Sequence, residues 1–193
     1  MTESAPTLEL TDPRALRALA HPVRLSLVGA LRREGPLTAT QAGELIGESA
    51  TTCSFHLRQL AKYGLVEEAG GGRGRERPWR ATATFTSWPS VPSAELAEAA
   101  DALTRLVVER YFEQALRWLE RKPDEPDEWA EAAQVGDTVL WVTAPELEAV
   151  SARVRELLAP LVARQLDPTL RPDGARLVSY LHLAFPADKP QRT

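Results

Sequence analysis

Thr51, Thr52, Ser54, Phe55 and Arg58 crowd into the first turns of one segment, SATTCSFHLRQLAKYGLVEE (49–68). Hydroxyls, one aromatic ring and one guanidinium are groups that hydrogen-bond to base edges or pack on them in a DNA major groove. Small polar residues also favour helix starts for purely local reasons, so these five decide nothing by themselves. A second set follows close behind. Arg73, Arg75 and Arg77 recur at every other position, with Arg80 three further on. Alternation puts the first three on one face of an extended segment, where they could follow a phosphate backbone.

The elements that must hold these side chains are readable from caps and turns. Thr38 lies three residues before Gln41, which predicts a capping box and a short helix. Leu45 and Ile46 give that helix an apolar side, and Gly47 can end it in the left-handed conformation. Ser49 caps a second helix, on which Cys53, Leu57 and Leu60 recur at i, i+4, i+7 as a buried stripe before Gly64 closes it. Two short helices joined by a Gly-containing turn make a helix-turn-helix. The stretch LVEEAGGGRGRERPWRATA (65–83) then reads as a strand, a flexible tip with Gly70, Gly71, Gly72 and Gly74, and a returning strand. A helix-turn-helix followed by a basic hairpin is a winged helix.

With these residues in place, the chain resembles the ArsR-type winged-helix transcriptional regulators. The resemblance rests on ALAHPVRLSLVGAL (18–31), the helix pair, SFHLRQLAKYGLVEE (54–68) and the Arg-rich wing, and covers about residues 12–84. It implies that the helix at 50–62 reads the major groove, that the hairpin touches the minor groove or the backbone, and that the protein is a homodimer. Those DNA-binding roles would fall on Thr51, Thr52, Ser54, Phe55, His56, Arg58, Arg73, Arg75 and Arg77.

A net charge of −4 argues against a nucleic-acid partner until its distribution is read. Pro13 to Thr84 holds eleven Lys or Arg against six Asp or Glu, whereas 85–193 holds twelve bases against eighteen acids. The positive charge thus sits in the proposed DNA-binding part. A single cysteine excludes an intramolecular disulfide framework and fits a reducing cytosol. The opening residues MTESAPTLELTDP lack the apolar core of a signal peptide, and no apolar run approaches the roughly 18 residues of a membrane span. A cytoplasmic location with no membrane partner is expected.

In chain order, residues 1–11 are expected to be loose. Asp12-Pro13 starts a helix, and His21-Pro22 starts the next, lined by Val23, Leu27 and Leu31 and ended at Gly35-Pro36. FTSWPSVPS (85–93) reads as a linker. Ser93 caps a long helix over 93–121 whose stripe runs through Leu96, Ala100, Leu103, Val107, Tyr111, Ala115 and Trp118. About 28 residues make it about 42 Å long, more than one small domain requires, and the resemblance places a dimer helix here. Leu103 and Val107, at mid-stripe, are the expected interface residues. The alternative is an intramolecular core helix. After an acidic, proline-containing break at 122–128 comes a module over 129–185: a strand at 137–143, a helix opened by a Thr143–Glu146 capping box and kinked at Pro160, and a strand at 175–185. The fold class is therefore mainly α (α+β): an N-terminal winged helix-turn-helix over 12–84, a long dimerisation helix over 93–121, then a C-terminal strand-helix-strand module. That module would serve dimerisation or ligand sensing.

Other chemistry finds less support. The first motif helix has no cysteine and the 93–121 helix no histidine, while His21, His56 and His182 are scattered, so no zinc ligand set can be assembled from the spacing. Cys53 reads as a buried structural thiol. GGGRG lacks the following Gly-Lys-Ser/Thr of a nucleotide loop, and no nucleophile–base–oxyanion set is visible. No cofactor and no enzymatic activity are expected. The expected partners are double-stranded DNA and a second copy, the latter to form a homodimeric repressor reading an inverted repeat. Two alternatives stay open: a winged-helix protein-interaction module with no specific DNA site, and a regulator that answers to an apolar or aromatic small-molecule effector. For the latter, Trp88, Trp118, Trp129 and Trp141 all lie at or after the linker, and Trp118 and Trp141 could meet in a pocket, unless these rings are plain core.

Overall fold

Each helix of the N-terminal half begins where the sequence supplies a cap. In the computed structural model, which describes residues 6–72, 76–88 and 93–187, Asp12 accepts a hydrogen bond from the Arg14 N–H and opens α1 (Pro13–Leu19). His21 Nδ1 accepts from the Val23 N–H at 3.2 Å and opens α2 (Pro22–Glu34). Thr38 and Gln41 exchange both bonds of a capping box at the start of α3 (Ala39–Ile46), which Gly47 ends at φ 76°. Ser49 accepts from the Thr52 N–H and opens α4 (Ala50–Ala61).

The α3–α4 turn is held by a close approach. The Gly47 and Glu48 N–H groups both donate to the Gly43 carbonyl, at 2.9 and 3.0 Å. A Cβ on Gly43 would lie 2.4 Å from the Glu48 carbonyl oxygen, so only glycine lets the chain fold back this tightly. The wing follows. β2 (Val66–Glu68) pairs antiparallel with β3 (Trp79–Ala81), Glu67 opposite Arg80. Leu37, ahead of α3, adds a bridge to Trp79 on the other side of β3.

One apolar core joins these elements. Leu16, Leu27, Leu57, Leu60 and Leu103 are all fully buried, one each from α1 and α2, two from α4, and one from α5 (Ala94–Arg121). The 28-residue α5 begins at the Ser93 cap and packs its first half along α1.

Three expectations change. Residues 7–9 are not loose: β1 (Thr7–Glu9) pairs in parallel with β4 (Phe85–Ser87), inside the segment read as a linker. The strands are too short to show periodicity, yet Leu10 beside them is buried. Leu103 is core, not interface surface, because the buried half of the α5 stripe is covered by the chain's own α1. The C-terminal strands are not formed. After a short helix α6 (Asp127–Ala132), residues 137–143 and 175–185 carry no ladder, and only the helix α7 (Ala144–Leu166) between them matches the expected module. A strand needs a neighbour to accept its backbone hydrogen bonds, and among the described residues none pairs with these segments. Among the described residues, every buried core residue lies at or before Leu103.

Candidate nucleic-acid interface

The buried stripe of α4 fixes where every other side chain on it points. Cys53, Leu57 and Leu60 face the core with no exposed surface. On the opposite face lie Thr51, Phe55, Arg58 and Lys62, at i, i+4, i+7 and i+11, all exposed. Phe55 keeps 51% of its surface exposed, unusual for an aromatic ring in the middle of a packed helix. Lys62 was not among the residues singled out by sequence, although the helical spacing that groups the other three reaches it as well.

Ser54 stands on one flank of that face. It lines a cleft of about 770 Å³ between the start of α3, α4 and the wing, together with Thr38, Thr40, Gln41, Arg58, Glu68, Arg77 and Trp79. The cleft thus brings together Ser54, Arg58 and Arg77 from the sequence-based set and adds the α3 residues Thr40 and Gln41. A capping box was legible there, but nothing in the sequence said that its residues would face α4 across a groove.

Thr52 and His56 stand on the other flank. The Thr52 and Ser49 hydroxyls share a hydrogen bond at 2.8 Å, so Thr52 is engaged in the helix cap. His56 turns back toward α2: its ring centroid lies 4.6 Å from that of His21, and the Phe55 ring meets it edge-on. Its Nδ1 is buried without a hydrogen-bond partner. Partial burial, then the neighbouring His21 and Arg24, push the His56 imidazole below its ordinary value, and burial followed by Arg24 does the same to His21. Both histidines are therefore held neutral. Burial raises the Cys53 thiol above its usual range, with Glu48 adding to it, as suits a packing residue and not a nucleophile.

On the wing, Arg73 and Arg75 lie outside the described residues. Arg77 pairs with Glu68 across the hairpin at 3.3 Å, and Arg80 with its register partner Glu67 at 2.7 Å. The wing is anchored from behind by Arg32 of α2, which donates to the Ala83 carbonyl at 3.0 Å and to the Thr86 hydroxyl at 2.6 Å.

The tryptophan pocket does not assemble in a single chain. Trp141 is 98% exposed, Trp118 lies under the Lys122 ammonium, and Trp129 stacks with the Arg176 guanidinium at 4.7 Å. Trp88 packs against the N-terminal core instead. Among the described residues no three His, Cys, Asp or Glu side chains are grouped to hold a metal ion, and no helix is long and apolar enough to cross a membrane.

Residues 19–69 match the family model of a helix-turn-helix domain, the stretch from the end of α1 to the first wing strand. Among curated proteins no sequence matches. Similar solved structures include the homodimeric winged helix-turn-helix DNA-binding domain of Mb0332 from Mycobacterium bovis, described as a possible ArsR-family transcriptional regulator. It is 25% identical over 50% of this chain and 76% of that one, with a TM-score of 0.33. The transcriptional repressor BigR from Xylella fastidiosa is 28% identical over 49% of this chain and 81% of its own, with a TM-score of 0.33. A possible transcriptional regulator for arsenical resistance is 29% identical over 50% of this chain and 95% of that one, with a TM-score of 0.33.

Proposed function

We propose that this chain, which carries a helix-turn-helix domain over residues 19–69, is a cytoplasmic, ArsR-type transcriptional regulator that binds DNA as a homodimer and represses. The observation that carries the reading is the outward face of α4. Thr51, Phe55, Arg58 and Lys62 stand clear of the core on a helix whose other side is fully buried, beside a cleft closed by the wing. Such a helix can enter a major groove while the wing follows the backbone. Two copies related by a two-fold axis would set two α4 helices on half-sites about one helical turn apart, so the operator should be an inverted repeat. Arg58 would read a base edge, Thr51 and Ser54 would supply hydrogen bonds, and Phe55 would pack on a thymine methyl. Arg73, Arg75 and Arg77 would meet phosphates or the minor groove.

Selection from random duplexes tests this directly. Enrichment of an inverted repeat, bound with an affinity that falls steeply with salt, is the expected result. A library that enriches no repeat, with no salt-dependent DNA binding, would instead favour a winged-helix module that binds other proteins.

A further inference from the structure

The C-terminal half exposes far more apolar surface than a finished fold should. The chain presents 14428 Å² to solvent, whereas a compact protein of 21.2 kDa exposes about 9,000 Å². Even when the residues outside the described set are subtracted at the maximal surface of an extended chain, an excess of about 3,000 Å² remains. Its location is plain: Val139 is 79% exposed, Trp141 98%, Leu157 74%, Leu177 76% and Phe185 74%. The distal half of α5 joins this surface, with Leu116 at 60%.

The backbone tells the same story. As strands, residues 137–143 and 175–185 would alternate side chains between two faces, and large apolar residues would stand on both, the pattern of strands covered from two sides. Among the described residues, the backbone–backbone hydrogen bonds of these segments lie at their ends, from Leu147 N–H to the Thr143 carbonyl and from Ala175 N–H to that of Pro172, and the Thr143 N–H donates to the Glu146 carboxylate. Between those ends the described residues form no ladder, and segments of seven and eleven residues in that state call for a partner that brings one. A small molecule offers no such ladder, and a bilayer accepts no open sheet edge. A second copy brings the same two segments and the same apolar helix faces. Burying the excess on both copies reaches the size of obligate homodimer interfaces, about 2,000–5,000 Å² and above.

We propose that residues 137–143 and 175–185 form a β-sheet with the same segments of a second copy, roofed by α7 and the distal half of α5, so that the C-terminal half folds only in the dimer. The inference rests on the dimeric reading above and specifies which surface makes it. The start of 175–185 is already docked for this, because Arg176 pairs with Glu125 at 2.8 Å and stacks on Trp129.

Sedimentation of the full chain, combined with amide hydrogen exchange read by mass spectrometry, tests it. The expected result is a dimer in which amides 138–142 and 177–184 exchange at least 100-fold more slowly than in an unstructured chain. A dimer in which those amides exchange freely would overturn the proposal and leave the dimeric reading standing. A monomer would remove both. Protection in a monomer would place the pairing within one chain and equally overturn it. As a second measurement, Leu140→Pro and Val178→Pro each delete one ladder N–H. Each should weaken the dimer at least tenfold while the thermal transition of the N-terminal core is kept; an unchanged dimer in both variants would also sink the proposal.

Discussion

Arg58 and Arg77 both border the cleft, but they are in different states there. Arg58 is exposed and has no carboxylate partner among the salt bridges of the described residues, whereas Arg77 is held by Glu68. Arg58→Ala should therefore relax sequence preference at one base position as well as affinity, by about 1–3 kcal/mol, seen by comparing operator and mismatched duplexes in fluorescence anisotropy. Glu68→Gln should act the other way. It removes a negative charge from the cleft and frees Arg77, so affinity should rise for operator and random duplex alike; an unchanged or lower affinity would mean that Arg77 does not meet the backbone. The buried side of α4 was legible, since Cys53, Leu57 and Leu60 repeat at helical spacing. The direction of His56 was not, because it depends on where the α2 start and His21 come to lie. That placement has a consequence for pH. Both imidazoles are held below their ordinary value near 6.5, so below that value the unfolded chain binds more protons than the folded one. Stability is full above about pH 6.5 and falls as pH drops beneath it. Urea midpoints between pH 7 and 5.5 should show this slope, and His56→Gln should flatten it.

At the scale of elements, the helix-turn-helix depends on Gly43 more than on any residue that could touch DNA. A Cβ there meets the Glu48 carbonyl oxygen at 2.4 Å, and a backbone atom cannot step aside as a flexible side chain can. Gly43→Ala should cost about 1–3 kcal/mol or more, read from urea unfolding, and should disturb the angle between α3 and α4. The long helix was legible in length and limits because its cap and stripe are continuous. Which part of the stripe meets the chain's own core was not, since both halves repeat with the same period. The structure divides them at Leu103, fully buried, and Leu116, exposed. Leu103→Glu should thus abolish folding by burying a carboxylate, and it cannot report on assembly. Leu116→Glu should leave the N-terminal thermal transition in place and weaken the dimer, as sedimentation would show. Strands β1 and β4, at three residues each, were too short for any periodic signal; only their pairing reveals them.

For the whole molecule, charge and apolar surface are divided between the two ends. The basic charge lies in the winged-helix part, and on the proposed function the acidic remainder would lower non-specific attraction to nucleic acid. His21 and His56 meet, but among the described residues no third metal-ligating side chain joins them, which motivates a further expectation about regulation. Titrating zinc or arsenite under reducing conditions should leave operator affinity unchanged; tight stoichiometric metal binding that releases DNA would refute it. The winged helix was legible because its caps, turns and stripes are local. The C-terminal half was legible only as potential strands, because the backbone partners that would fix them lie outside their own stretch of sequence.

Cys53 makes the seating of α4 measurable without altering it. It is the sole sulfhydryl in the chain, fully buried on the core side of α4 and held in its unreactive protonated form. A thiol-specific dye can reach it only when α4 lifts from the core. The labelling rate of the unmodified protein therefore clocks that opening, and a bound operator should slow the clock.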